Sequence, residues 1–166
     1  EQSRLKTIFF ENGKVLFEYD ETDREDMPGS RALKKIILED INGVKIKQVF
    51  FDHEYTTSTD LTNMNSFLAT FSSSLSARKR LFLKSVQIAD KDNVTLPPYR
   101  FEYNATVLPS RFSNSVDAWG YYNGKNNGYF LERGVDDRSV DAEKVQAGML
   151  TSVIKPEGGR TNFYYE

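Results

Sequence analysis

The sequence contains no cysteine, a single histidine and a single tryptophan. Without cysteine there are no disulfides, no thiolate metal sites and no cysteine nucleophile, although no compartment is thereby assigned. Hydrolytic triads draw their base mostly from histidine, and zinc sites need clustered His or Cys ligands. One histidine supplies no such cluster. Charge of one sign is also lacking. The formal net charge is −2, without the basic field that nucleic-acid binding requires. The cluster Arg78-Lys79-Arg80 is short, and Lys34 and Lys35 lie far from it. No apolar run approaches the roughly 20 residues that span a bilayer. No cofactor, no nucleic-acid partner and no membrane insertion are expected.

What the sequence has in quantity is aromatic residues, 12 Phe and 9 Tyr in 166 positions, a composition that suits pleated, half-buried surfaces. The length fits a single domain over 1–166, able to bury roughly 70% of its unfolded surface. It opens at Glu1 without a signal-peptide pattern and closes on Tyr164-Tyr165-Glu166, which reads as mid-strand. A larger parent protein is the expectation.

A motif recurs four times. A Leu is followed three residues later by Ile or Val, then by a turn, then by alternating aromatics. The copies fall at about 4–20, 31–55, 80–104 and 149–166. The first runs from Leu5 to Ile8, turns at Asn12-Gly13 and closes on Phe17-Glu18-Tyr19-Asp20. The second starts at Leu33, turns at Asn42-Gly43 and closes through Phe51 and Tyr55. The third starts at Leu83, turns between Asp90 and Asn93 and closes on Phe101-Glu102-Tyr103-Asn104. The fourth starts at Leu150, turns between Pro156 and Gly159 and closes on Phe163-Tyr164-Tyr165.

Each copy has the pattern of a β-hairpin, and Asn-Gly predicts a type I′ turn with positive φ angles. In the second copy the hydrophobic parity changes between Ile46 and Val49, which predicts a bulge near Lys47 or Gln48. The fold class is therefore mainly β: antiparallel twisted sheets built from four β-hairpins, with one or two short helices in the insertions.

The insertion at 56–79 carries Met64, Phe67, Leu68, Phe71 and Leu75 at helical spacing, with Asp60 or Thr62 as a plausible N-cap. A Gly- and Asn-rich segment at 107–140 reads as irregular, and a short helix over 141–147 is expected to stop at Gly148.

Candidate chemistry is sparse. His53 shares strand parity with Phe51 and Tyr55, and packing there is the favoured reading over general-base chemistry. The acidic runs Glu21, Asp23, Glu25, Asp26 and Asp136, Asp137, Asp141 sit in loop-like sequence. Calcium ligation by Asp90, Asp92 and Asn93, or by Asp20, Asp23 and Asp26, competes with ordinary turn chemistry. The best binding candidate is Asp117, Trp119, Tyr121, Tyr122 and Asn123, with Asn126 and Asn127 beside them. Aromatic faces with nearby amides and a carboxylate suit a glycan or a protein interface. The bland reading makes Trp119 and one Tyr a plug at the end of the β core.

The hairpin at 150–166, and the literal Tyr19-Asp20 of the first copy, resemble the tyrosine-aspartate (YD) repeats of rearrangement-hotspot (Rhs) proteins. The block Leu96 to Tyr103, followed by Trp119-Gly120-Tyr121-Tyr122-Asn123-Gly124, resembles the region before the repeat array in large surface proteins of Bacteroides-type bacteria. The resemblance implies a non-catalytic scaffold segment at the cell surface, associated with the outer membrane, with chemistry carried elsewhere in the parent. Its implied partners are neighbouring repeat segments of the same parent chain. The competing reading is a carbohydrate-binding module centred on Trp119. The copies here are unevenly spaced, unlike the dense arrays of that family.

Overall fold

A computed structural model describes residues 3–61, 63, 68–128 and 136–165. Eight strands form one antiparallel sheet in chain order: β1 (Thr7–Phe10), β2 (Gly13–Tyr19), β3 (Leu33–Asp40), β4 (Lys45–Thr57), β5 (Lys79–Asp90), β6 (Tyr99–Tyr103), β7 (Leu150–Ile154) and β8 (Arg160–Asn162). They pair as four hairpins, β1 with β2, β3 with β4, β5 with β6 and β7 with β8. The chain divides into two compact units. The first comprises Glu1–Glu54, Leu81–Glu102 and Ser152–Asn162, the second Tyr55–Arg80, Tyr103–Thr151 and Phe163–Glu166.

The turns correct the expected chemistry. Asn12 and Gly13 do not form a type I′ turn, because neither takes a positive φ. Gly13 already lies in β2, paired with Phe10 on one side and Asp40 on the other. A Cβ there would sit 2.1 Å from the Glu39 carbonyl oxygen. Close strand approach is what requires glycine at this position, not turn geometry.

The second turn is not type I′ either. Only Gly43 is left-handed, with φ +78°. Its N–H donates to the Asp40 carbonyl at 3.1 Å, while Asp40 N–H donates to the Val44 carbonyl at 2.9 Å. The Asp40 carboxylate also accepts from the N–H groups of Asn42 and Val44. This is a three-residue hairpin loop whose last residue must be left-handed.

The same loop closes the third hairpin. Asn93 takes φ +62°, and Asp90 accepts from the N–H groups of Asp92 and Val94. In the fourth, Gly158 takes φ +86° and Lys155 N–H donates to the Gly159 carbonyl at 2.7 Å. No aspartate stands there. Pro156 occupies the first loop position and fixes φ instead.

The expected bulge lies one residue from its predicted place. Leu38 pairs with Lys47 and Glu39 with Lys45, so Ile46 is the extra residue. A further irregularity falls between Glu18 and Tyr19.

The bases of the first and fourth hairpins are closed by the same bonds. Phe17 N–H donates to the Lys6 carbonyl at 2.9 Å, and Phe163 N–H to the Thr151 carbonyl at 2.9 Å. The Tyr19 hydroxyl donates to Leu5, and the Tyr165 hydroxyl to Leu150, each at the backbone carbonyl. The Leu and Tyr positions of the motif are thus the two ends of a hydroxyl-to-carbonyl link.

Two of the three junctions between successive hairpins, β2–β3 and β6–β7, share their bonds as well. Asp20 N–H reaches the Ala32 carbonyl at 2.9 Å, and Asn104 N–H reaches the Met149 carbonyl at 2.8 Å. Two residues earlier, Glu18 pairs with Lys35 at 3.0 Å and Glu102 accepts from the Ser152 hydroxyl at 2.7 Å.

Among the described residues, Ile37 is the one large apolar side chain fully inside, joined by Ala32, Ala77, Ala89 and Ala147. Gln48 and Ser152, both polar, are fully buried and hydrogen-bonded to Asn93 and Glu102. Ile8, Phe9 and Phe10 on β1 are exposed, as is Tyr164 after β8.

The predicted helix in the insertion falls partly on residues 62 and 64–67, outside the described residues. Two short helices follow, α1 (Ala69–Ser72) and α2 (Leu75–Arg78), the second capped by Ser74, which accepts from Ala77 N–H. Phe71 and Leu75 are exposed rather than aligned on a buried face. The helix expected over 141–147 is a single 3-10 turn, Lys144–Gln146, followed by Gly148 at φ +69°.

Candidate functional site

The residues singled out around Trp119 lie in the second unit, within the segment expected to be irregular. They form a small hairpin closed by a bridge between Val116 and Tyr122. Its loop repeats the three-residue form of the main sheet. Asp117 N–H donates to the Tyr121 carbonyl at 2.8 Å, and Gly120 N–H returns to the Asp117 carbonyl at 3.2 Å. The Asp117 carboxylate accepts from the N–H groups of Trp119 and Tyr121, at 2.8 and 2.9 Å. Gly120, at φ +91°, supplies the left-handed position.

This geometry overturns the plug reading. Trp119 is 81% exposed and Tyr121 56% exposed, at the loop tip, whereas Asp117 is 4% exposed. The physical reason is the loop itself: its second residue projects away from the strands that the aspartate holds. Asp117 is consumed by the turn, and the two aromatics exposed at the tip are Trp119 and Tyr121.

Beneath the tip the buried groups are polar. Ser113, Asn114, Ser115, Asn123 and Asn127 are all buried. Arg138 organises them: its Nη1 donates to the carbonyls of Asn114 and Val116 at 2.9 and 2.6 Å. Its Nη2 stands 3.5 Å from Asp136 Oδ2, an ion-pair distance without hydrogen-bond geometry. The Arg138 carbonyl in turn accepts from Ala118 N–H, tying this strand of chain to the tip.

Asn123 spans two segments. Its Nδ2 donates to the carbonyls of Asp137 and Ser139, and its Oδ1 accepts from Lys125 N–H. The Asn127 Nδ2 donates to the Val116 carbonyl at 3.4 Å. Asn123 is therefore a bracket under the tip, not a surface group. Asn126 is exposed.

Tyr122 is half-buried, and burial, followed by the charges of Asp60 and Asp141, pushes its phenol up. Asp137 is held low by hydrogen bonds from the hydroxyl and N–H of Ser139. Asp141 is held low by the N–H groups of Lys144 and Glu143, which it caps.

The other candidates sit in the first unit as structural groups. His53 is half-buried, and burial lowers its pKa against the opposing charges of Asp20 and Asp52. Asp26 is buried in a two-bond pair with Arg24. Asp23 accepts from Gly29 N–H and lies 3.7 Å from Arg31. The Asp90 carboxylate is spent on its own turn, and the Asn93 Oδ1 accepts from Gln48 Nε2. Among the described residues no three His, Cys, Asp or Glu side chains are placed to hold a metal ion, Asp20, Asp23 and Asp26 included.

Sequence reasoning missed Arg138 and the shared loop. Arg138 left no signal of its role under the tip, because the carbonyls it bonds lie more than 20 residues away. The loop did leave one: Asp-x-x-Gly or Asp-x-x-Asn followed by a hydrophobic residue, at Asp40, Asp90 and Asp117. Compared with protein-family models, curated proteins and solved structures, the chain matches none.

Proposed function

We propose that the chain is a non-catalytic structural segment of an extracellular YD/Rhs-repeat scaffold, laid edge to edge with neighbouring repeat segments of the same parent. The observation that supports this reading is the recurrence of one set of hydrogen bonds at hairpin bases and junctions. Tyr19 to Leu5 recurs as Tyr165 to Leu150, and Asp20 to Ala32 recurs as Asn104 to Met149. A unit that repeats its internal bonds and its bonds to the next unit suits an array. The sparse apolar interior and the exposed aromatic edges agree with that role. The cell-surface location rests on the sequence resemblance.

Sedimentation velocity tests the reading. The 166-residue chain should self-associate at high concentration, and a chain lengthened by its flanking parent sequence should do so less. A clean monomer for the short chain at high concentration counts against it.

The exposure of Trp119 and Tyr121 on a fixed loop favours a second reading, a carbohydrate-binding module. Trp119→Ala should then abolish retention on a responsive polysaccharide while leaving the fold intact. Trp119 emission that ignores a panel of plant and host polysaccharides removes this reading.

A further inference from the structure

The free edge of β1 has a chemistry that the internal junctions make legible. Phe17 N–H bonds the Lys6 carbonyl, and Ile8 and Phe10 pair with Val15 and Gly13. Alternate residues of an antiparallel strand bond to alternate sides. Lys6, Ile8 and Phe10 therefore turn their backbone groups to β2, and Thr7 and Phe9 turn theirs outward.

Thr7 stands two residues after Leu5, as Lys35 stands after Leu33 and Ser152 after Leu150. In two of the three junctions between hairpins, β2–β3 and β6–β7, that position meets a glutamate from an aromatic-Glu-Tyr strand, Glu18 in one and Glu102 in the other. Arg4 stands one residue before Leu5, where Ala32 and Met149 accept the N–H of the residue after Tyr.

A groove of about 940 Å³ is lined by Arg4, Lys6, Thr7, Phe17, Glu18 and Arg31 among others. Three of those six are cationic and Glu18 is anionic. Lys6 makes no ion pair among the described residues.

We propose that the β1 edge is a docking site for an extended strand of the aromatic-Glu-Tyr type, whose carboxylate meets the Thr7 hydroxyl. The inference rests on the scaffold reading and deepens it by naming what the edge selects. Strand addition supplies main-chain bonds, and the alternate side chains supply the discrimination. The chain's own last strand carries Tyr164 where the glutamate would stand, so a second copy offers the wrong residue.

The test titrates the full chain with a synthetic peptide of residues 81–104, which contains Phe101-Glu102-Tyr103-Asn104, while following amide exchange by NMR. Expected are protection of the Thr7 and Phe9 amides and about tenfold weaker binding for the peptide bearing Glu102→Gln, since a hydrogen bond to a charged group is lost. Thr7→Val in the full chain should weaken the parent peptide and leave the Gln peptide unchanged. Equal affinity of the Glu and Gln peptides overturns the carboxylate selectivity and leaves the scaffold reading standing. No protection at Thr7 and Phe9 overturns the docking site, and the scaffold is then judged by its sedimentation. Protection brought about equally by concentrating the chain alone places a second copy on the edge and overturns this inference only.

Discussion

The phenolic hydroxyl of Tyr19 donates to the backbone carbonyl of Leu5 at 3.0 Å, across the open end of the first hairpin. The fourth hairpin has the same bond, from Tyr165 to Leu150 at 2.6 Å. Phenylalanine has the same ring and cannot make either bond, which explains why the recurring strand ends on tyrosine while phenylalanine holds the position two residues earlier.

Tyr19→Phe and Tyr165→Phe each remove this one bond and keep the ring. Each should cost about 1 kcal/mol, the ordinary net worth of a hydrogen bond. Urea denaturation reads it as a lower midpoint at unchanged slope. No shift in either variant would show that the hydroxyl contributes nothing.

Gly13→Ala and Gly43→Ala separate two uses of glycine. At Gly13 the new Cβ meets a backbone oxygen at 2.1 Å, so β2 and β3 must part. At Gly43 space is open and only the left-handed φ is strained. Gly43→Ala should cost about 1 kcal/mol, and Gly13→Ala clearly more, of the order of overpacking at 1–3 kcal/mol or above. Thermal melts of the pair check the order, and a reversed order refutes the register.

Asp117→Ala strips both side-chain bonds from the tip loop. A loss of about 1–2 kcal/mol is expected, as for a lost cap. Trp119 should already emit like an indole in water and be quenched freely by acrylamide in the parent protein. In the variant its emission should stay put while its fluorescence anisotropy falls. A blue-shifted, protected Trp119 in the parent would contradict the exposed tip.

His53 gives a pH dependence. Its folded pKa lies below the unfolded value of about 6.5 because burial disfavours the imidazolium. The unfolded chain therefore takes up the proton first as pH falls, and stability present above about pH 6.5 is lost through the folded pKa. His53→Gln should flatten the stability profile between neutral and mildly acidic pH, as measured by urea titration at several pH values. An unchanged slope would assign the dependence to other groups.

The hairpins were legible because Leu, the turn residues and the alternating aromatics lie close together in sequence. The turn types were not. Asn-Gly at 12–13 and at 42–43 is the same dipeptide, yet at Gly13 a neighbouring strand decides the geometry and at Gly43 the carboxylate of Asp40 does. Local sequence carries the second cause but not the first.

The plug reading of Trp119 fails for a related reason. A lone tryptophan among tyrosines reads as core material, but the interior beneath it is built from Asn, Ser and Arg138. Arg138, Asn114 and Asn123 bond backbone carbonyls of distant segments, which no local spacing announces.

The loop shared by Asp40, Asp90, Asp117 and Lys155 divides its positions by duty. The first residue and the left-handed one fix the path of the chain, and the two between them are Ile41-Asn42, Lys91-Asp92, Ala118-Trp119 and Pro156-Glu157. Where aspartate leads, the framework uses only the main chain of those two residues. Such positions are interchangeable cassettes. Mutation can rewrite what each hairpin shows to its surroundings, from a charge to an indole, while the sheet that carries it stays the same.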